Sequence, residues 1–177
     1  VLFRSVGMRG HPGPLIAVRA SESAIICPVE MGSRRPSLTA DQTRLVMDLV
    51  NPGGRLAVYS LKDCRVGSQD AAGRVLQLDG PHYPAEGSLS PDGSMLAYVD
   101  FRPRTAGEAY PRIPTVVVLE MASMAERVVG TGVGPSWSPD GRRIAYTHAA
   151  EQGQNANCEQ GEIGVWVVEV AGGKPVN

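Results

Sequence analysis

The sequence predicts an all-β fold built from repeated four-stranded antiparallel units, and two observations carry the prediction. One phrase is written three times: Pro36-Ser37-Leu38-Thr39-Ala40-Asp41-Gln42-Thr43-Arg44-Leu45-Val46-Met47, Gly87-Ser88-Leu89-Ser90-Pro91-Asp92-Gly93-Ser94-Met95-Leu96-Ala97-Tyr98, and Pro135-Ser136-Trp137-Ser138-Pro139-Asp140-Gly141-Arg142-Arg143-Ile144-Ala145-Tyr146. After each copy comes an apolar run rich in β-branched residues and bounded by turn residues, at residues 56–61, 116–121 and 165–170. Such runs read as strands rather than buried helix. Self-similarity at a fixed period of tens of residues means a unit that cannot bury its apolar face alone and must stack on copies of itself. The three aspartates stand 51 and 48 residues apart, a spacing that suits one blade of a β-propeller.

Each unit then resolves into four strands, a to d. Strand a is the Ser-Leu-Ser or Ser-Trp-Ser stub, and Pro-Asp-Gly makes the turn to strand b. Pro91 and Pro139 preset φ, Asp92 and Asp140 hydrogen-bond their own turn, and Gly93 and Gly141 take a positive φ without steric cost. In the first copy, Ala40-Asp41-Gln42-Thr43 keeps only the aspartate, Asp41. The runs named above are strands c, and weaker runs at 74–78 and 126–129 are strands d. Asn51-Pro52-Gly53-Gly54 mimics the repeated turn but falls too soon after the first copy, so it reads as the tight b to c hairpin of the first unit. Upstream, 15–20 and 23–27 read as strands c and d of an earlier blade. Residues 1–5 are set aside as a non-native segment, because the codons GTG CTC TTC CGA TCT that encode Val-Leu-Phe-Arg-Ser resemble the end of a sequencing adapter. The organisation expected is therefore a partial leading blade at 6–35, blades at 36–86 and 87–134, and an incomplete blade at 135–177 that stops where its strand d should begin: a fragment of a propeller.

The phrase Ser-Pro-Asp-Gly followed by a basic or small residue, an aliphatic residue, Ala and Tyr resembles the β-propeller repeat of TolB-type proteins, which is also found in the propellers of prolyl oligopeptidase-like peptidases. The resemblance runs from about Pro36 to the end and is specific for fold rather than function. It implies a radial array of roughly six to eight blades. For a TolB-type protein it implies a periplasmic or secreted location and a protein or peptide partner. For a peptidase it implies a gating propeller whose Ser, Asp and His lie in a separate hydrolase domain.

Composition narrows the function further. The net charge is −1, with acidic and basic residues interspersed, which gives no electrostatic footprint for nucleic acid or an anionic membrane. No apolar stretch reaches membrane-spanning length. The three cysteines, Cys27, Cys64 and Cys158, have no paired spacing and make no disulfide framework. Gly87-Ser88-Leu89-Ser90-Pro91 and Gly134-Pro135-Ser136-Trp137-Ser138 approach a nucleophile elbow, yet the closing glycine is missing and the serines lie in a repeated strand. Gly130-Thr131-Gly132-Val133-Gly134 precedes a strand and not a helix, so it reads as a d to a connection instead of a phosphate loop. His148, Glu151, Cys158 and Glu159 match no metal-ligand spacing, and no cofactor is expected. Asp41, Asp92 and Asp140 read as turn caps, Tyr98, Tyr146, Trp137 and Trp166 as packing between blades.

What remains is an asymmetry in the connections. The short Pro-Asp-Gly turns hold one face flat, while the other face carries long b to c loops at 101–114 and 148–164. The first loop holds Arg102, Arg104, Glu108, Tyr110 and Arg112, the Arg and Tyr mixture of interface anchors. The second holds Glu151, Gln152, Asn155, Asn157 and Glu159 after His148, and a d to a connection adds His82 and Tyr83. The reading from sequence is a non-catalytic protein- or peptide-binding propeller; the alternative is the gating propeller of a serine peptidase.

Overall fold

A computed structural model describes residues 2–5, 15–19, 24–28, 33–49, 54–61, 74–78, 83–103, 112–148, 164–174 and 176. All regular structure among them is strand. β1 (Leu2–Ser5), β2 (Leu15–Arg19) and β3 (Ala24–Pro28) form a three-stranded leading sheet. β1 lies in the segment set aside from the fold, and it pairs antiparallel with β2 from Leu2↔Val18 to Ser5↔Leu15.

β4 (Ser33–Leu38), β5 (Arg44–Leu49), β6 (Arg55–Ser60) and β7 (Arg74–Val75) make the first blade in the order a to d. β5 and β6 pair from Leu49↔Arg55, so the Asn51–Gly54 stretch joins b to c as expected, with Gly54 at φ +52°. β8 (Pro84–Leu89), β9 (Met95–Pro103), β10 (Arg112–Glu120) and the first half of β11 (Glu126–Trp137) make the second. The second half of β11, β12 (Arg143–His148) and β13 (Gly164–Glu169) make the third, and Val176 bridges back to Val167 where a strand d belongs. Strand a of each blade starts earlier than the repeated phrase, so the boundaries drawn at 36, 87 and 135 fall inside β4, β8 and β11.

One expected loop is shorter than the sequence indicated. The β9 and β10 ladder continues through Phe101↔Pro114 and Arg102↔Ile113 to Pro103↔Arg112. Residues 101–103 and 112–114, rich in Arg and Pro, are therefore rungs of a hairpin, because Pro103 and Pro114 each remove one donor without ending a two-stranded ladder. The Gly130–Gly134 stretch is the d to a connection read from sequence, and it is extended: it lies inside β11, which leaves the second sheet and enters the third without a break.

Successive side chains of a strand point to opposite faces, so each central blade presents two apolar surfaces. Between the first and second blades pack Val46, Leu56, Leu76, Leu89, Leu96, Tyr98, Val117 and Leu119. Between the second and third pack Ala97, Val116, Val118, Ile144, Tyr146 and Val168, edged by Trp137 and Trp166. In the second blade the surface facing backward along the chain is large (Leu89, Leu96, Tyr98 and Leu119) and the surface facing forward is small or β-branched (Ala97, Val116 and Val118). The tyrosines are thus packing residues, Tyr98 wholly buried and Tyr146 nearly so. Burial raises the pKa of the Tyr146 phenol, while the Tyr98 hydroxyl donates to Glu126 at 2.8 Å.

Candidate functional site

The two ends of the blades are built on different rules. At the a to b end one hydrogen-bond pattern is written three times. The hydroxyl of Thr39, Ser90 or Ser138 donates to the aspartate two residues on, at 2.7, 2.7 and 2.5 Å. The same hydroxyl accepts the amide of Arg44, Met95 or Arg143, at 3.1, 2.9 and 2.9 Å. The carboxylate in turn accepts the amide of Thr43, Ser94 or Arg142, at 3.0, 3.0 and 3.1 Å. Asp41, Asp92 and Asp140 are turn caps, as the repeat implied. The first copy keeps more than its aspartate, however, since Thr39 and Thr43 supply the hydroxyls that Ser90 and Ser94 supply in the second. These donors hold the Asp92 carboxyl below its ordinary value, the Ser90 hydroxyl foremost, and Ser138 does the same for Asp140. Gly93 and Gly141 sit at φ +72° and +70°, and Gln42 takes the same slot at +57°. Ser90 and Ser138 are committed to this network, while Ser88 and Ser136 lie within strands a, paired with Ala97 and Ala145.

Among the described residues the opposite end repeats no such side-chain hydrogen-bond pattern. Leu49, Asp100 and His148 occupy the same place at the end of strand b, an aliphatic residue, a carboxylate and an imidazole. Asp100 is completely buried. Its Oδ1 accepts the amide of Tyr83 at 2.9 Å, and the Tyr83 carbonyl accepts the amide of Phe101 at 3.3 Å. Tyr83 is thereby clamped by its backbone while 37% of it stays exposed. The His148 ring stacks on Trp166 with centroids 4.3 Å apart and planes 27° from parallel. Its Nδ1 lies 2.9 Å from the Thr131 carbonyl oxygen. A carbonyl can only accept, so Nδ1 is the donor in this contact.

Of the candidate binding residues, then, Tyr83 and His148 are fixed at this end, and Arg102 and Arg112 are adjacent rungs of the β9 and β10 hairpin that projects there. Arg104, Glu108, Tyr110, His82 and Glu151 lie outside the described residues, as do Cys64 and Cys158. Among the described residues no three His, Cys, Asp or Glu gather as a metal site, and no helix is long and apolar enough to cross a membrane.

Sequence reasoning missed the carboxylates of strands a and b. Every strand a carries the same bulge, at Arg34/Ser37, Ala85/Ser88 and Val133/Ser136. Asp48 of the first blade accepts the amides of Glu86 and Gly87 in the second blade's bulge, at 2.9 and 3.2 Å. Glu86, itself at φ +55°, accepts the amide of Gly134 in the third blade's bulge at 2.6 Å. A charged residue ending an apolar run, Leu45-Val46-Met47-Asp48, was the available signal.

No family model and no curated protein matches the chain. Among solved structures it is similar to TolB from Acinetobacter baumannii, with a TM-score of 0.62 and 16% identity over 98% of this chain and 41% of that one. The sheets are blades of a β-propeller. The propeller domain of the Trilobed protease from Pyrococcus furiosus aligns with a TM-score of 0.56 and 10% identity, over 82% of this chain and 41% of that one. An oligogalacturonate lyase solved with manganese aligns with a TM-score of 0.59 and 12% identity, over 92% of this chain and 41% of that one. The chain spans about two fifths of the length of each of these structures, and at such identities the likeness concerns the propeller fold alone.

Proposed function

We propose that the chain is a non-catalytic protein- or peptide-binding propeller segment of TolB-like type, and that its partner lies on the face where strands b end and strands c begin. One observation carries this reading: the a to b end repeats one closed hydrogen-bond pattern three times, whereas the opposite end places a different side chain at each equivalent position. Differentiated residues on a rigid repeated scaffold are the usual ground for recognition. Tyr83 offers a ring whose backbone is already ordered, so little entropy is lost when it is covered. Arg102, Arg104, Tyr110 and Arg112 add carboxylate-binding and aromatic anchors on the same connection. A periplasmic or secreted location and an envelope partner belong to this reading. The likeness to a protease propeller favours one alternative, a gating propeller whose hydrolase domain supplies the Ser, Asp and His.

The test is calorimetry against the captured partner, with Tyr83→Ala, Arg104→Ala and Tyr110→Ala compared with the turn variant Asp41→Asn. A true anchor should cost at least ~2 kcal/mol of binding when truncated. Loss of affinity in folded Asp41→Asn, with the loop variants unaffected, would put the binding face at the other end. Acceleration of a peptidase by the added chain would favour the gating alternative.

A further inference from the structure

The crevices between neighbouring a to b turns are not equivalent. Between the first and second turns two contacts close the gap: the Ala40 amide donates to the Pro91 carbonyl at 2.9 Å, and Arg44 Nη1 donates to the Gly93 carbonyl at 3.0 Å. Between the second and third turns neither contact can form. Pro91 stands where Ala40 stood and has no N–H, and Met95 stands where Arg44 stood and has no cation. What is left is an open crevice of about 150 Å³ lined by Ser90, Pro91, Asp92, Met95, Trp137 and Asp140 among others.

We propose that this crevice binds the guanidinium of an arginine side chain presented by a peptide or protein, in the place that Arg44 fills one blade earlier. The internal repeat supplies the precedent, since the same turn backbone already accepts a guanidinium at Gly93, and Gly141 is its counterpart. The lining suits the ligand. Both donors to Asp140 reach Oδ1, and Oδ2 receives none from the described residues. The Trp137 indole N–H is tied to the Ser88 carbonyl at 2.8 Å, which fixes the ring as one wall and leaves its π system to face a cation. The Ser90 and Ser138 hydroxyls lower the Asp92 and Asp140 carboxyls further from their ordinary value, so both are anionic at neutral pH. A guanidinium fits better than an ammonium, because its planar fork can reach a carbonyl and a carboxylate at once while stacking on an aromatic face. The site lies at the opposite end of the strands from Tyr83 and His148 and stands independently of the reading given for that end.

The test is a titration of the full chain with acetyl-Gly-Arg-Gly-amide, followed by amide and indole NMR shifts, with the citrulline peptide as a neutral isostere. Saturable shifts at Ser94, Met95, Gly141 and the Trp137 indole are expected, at least ~10-fold weaker with citrulline. Met95→Arg restores the first crevice's arginine in cis and should abolish the response while the rest of the spectrum stays native. Should that variant fail to fold, Asp140→Asn at an exposed position decides, with at least ~3-fold weaker binding expected from losing a charge-assisted bond. Equal shifts with arginine and citrulline, or no saturable shift with either, would overturn the proposal. So would undiminished binding in a folded Met95→Arg or Asp140→Asn.

Discussion

Gly93→Ala and Gly141→Ala look interchangeable in the repeated phrase, yet they should differ by more than either loses through backbone strain. Both glycines sit near φ +70°. Forcing an alanine there costs about 1–2 kcal/mol, offset by about 0.4–1 kcal/mol from the stiffer unfolded chain, so about 1 kcal/mol is the common loss. The surroundings then separate them. A Cβ at Gly141 meets only Pro91 Cδ at 3.5 Å and Cγ at 3.9 Å, ordinary contacts. A Cβ at Gly93 meets Thr39 Cγ2 at 2.9 Å and Arg44 Cδ at 3.2 Å, and the Arg44 guanidinium is anchored on the Gly93 carbonyl. Overpacking of this kind adds about 1–3 kcal/mol. For a chain of this size each kcal/mol moves Tm by roughly 2–4 °C, so Gly93→Ala should melt roughly 2–12 °C below Gly141→Ala. The assay is thermal or urea unfolding of both variants and of Gly93→Ala combined with Thr39→Ser. That second change removes the offending methyl and keeps the hydroxyl that Ser90 and Ser138 carry, so it should recover part of the extra loss. Equal melting of the two single variants, or no recovery in the double, would refute the steric reasoning.

Gln42→Gly should stabilise the chain by about 0.5–1 kcal/mol, because it relieves an L-residue at φ +57° in a slot that takes glycine twice elsewhere; unchanged urea midpoints would count against it. Asp92 and Asp140 are lowered from 3.8 in the folded chain, so the unfolded state binds more protons in that range. Their contribution is complete above about pH 4 and lost as pH falls through the folded values. Ser90→Ala should return the Asp92 carboxyl toward its ordinary value, read by carboxyl-carbon NMR. Gly132→Ala should destabilise by about 2–4 kcal/mol, since its Cβ would collide with the Thr147 carbonyl oxygen and the Tyr146 ring; a circular dichroism melt unchanged from wild type would dismiss that contact.

What could be read in the sequence was whatever depends on a single local rule. Pro91-Asp92-Gly93 announces itself because each residue serves the backbone it belongs to, and the decoy at Asn51–Gly54 could be rejected by spacing. Thr43 reads as decay beside Ser94 because a pattern of residue names differs there, while the turn asks only for a hydroxyl. The rungs at Arg102 and Arg112 were hidden because Pro and Arg in a row resemble a loop, although a hairpin ladder tolerates them. The Asp48 contacts to Glu86 and Gly87 join residues 38 and 39 apart, and the crevice beside Trp137 exists through what Pro91 and Met95 lack. Neither depends on local sequence alone. Both needed the stacking of one blade on the next.

The twelve residues of β11 belong to two sheets at once, and this makes register a shared quantity. A strand confined to one sheet can slip by a residue and spoil only its own blade. Here a slip at Val128 that turned Val129 away from the core would be handed through Gly132 to Ser136 and Trp137, and so to their partners Ala145 and Ile144. The bulges on either side of the crossing, at Val116/Val117 and at Val133/Ser136, fix the count in each sheet. Pairing errors in one blade are therefore tested against the packing of the next before either is complete, which ties the second and third blades into one cooperative folding unit.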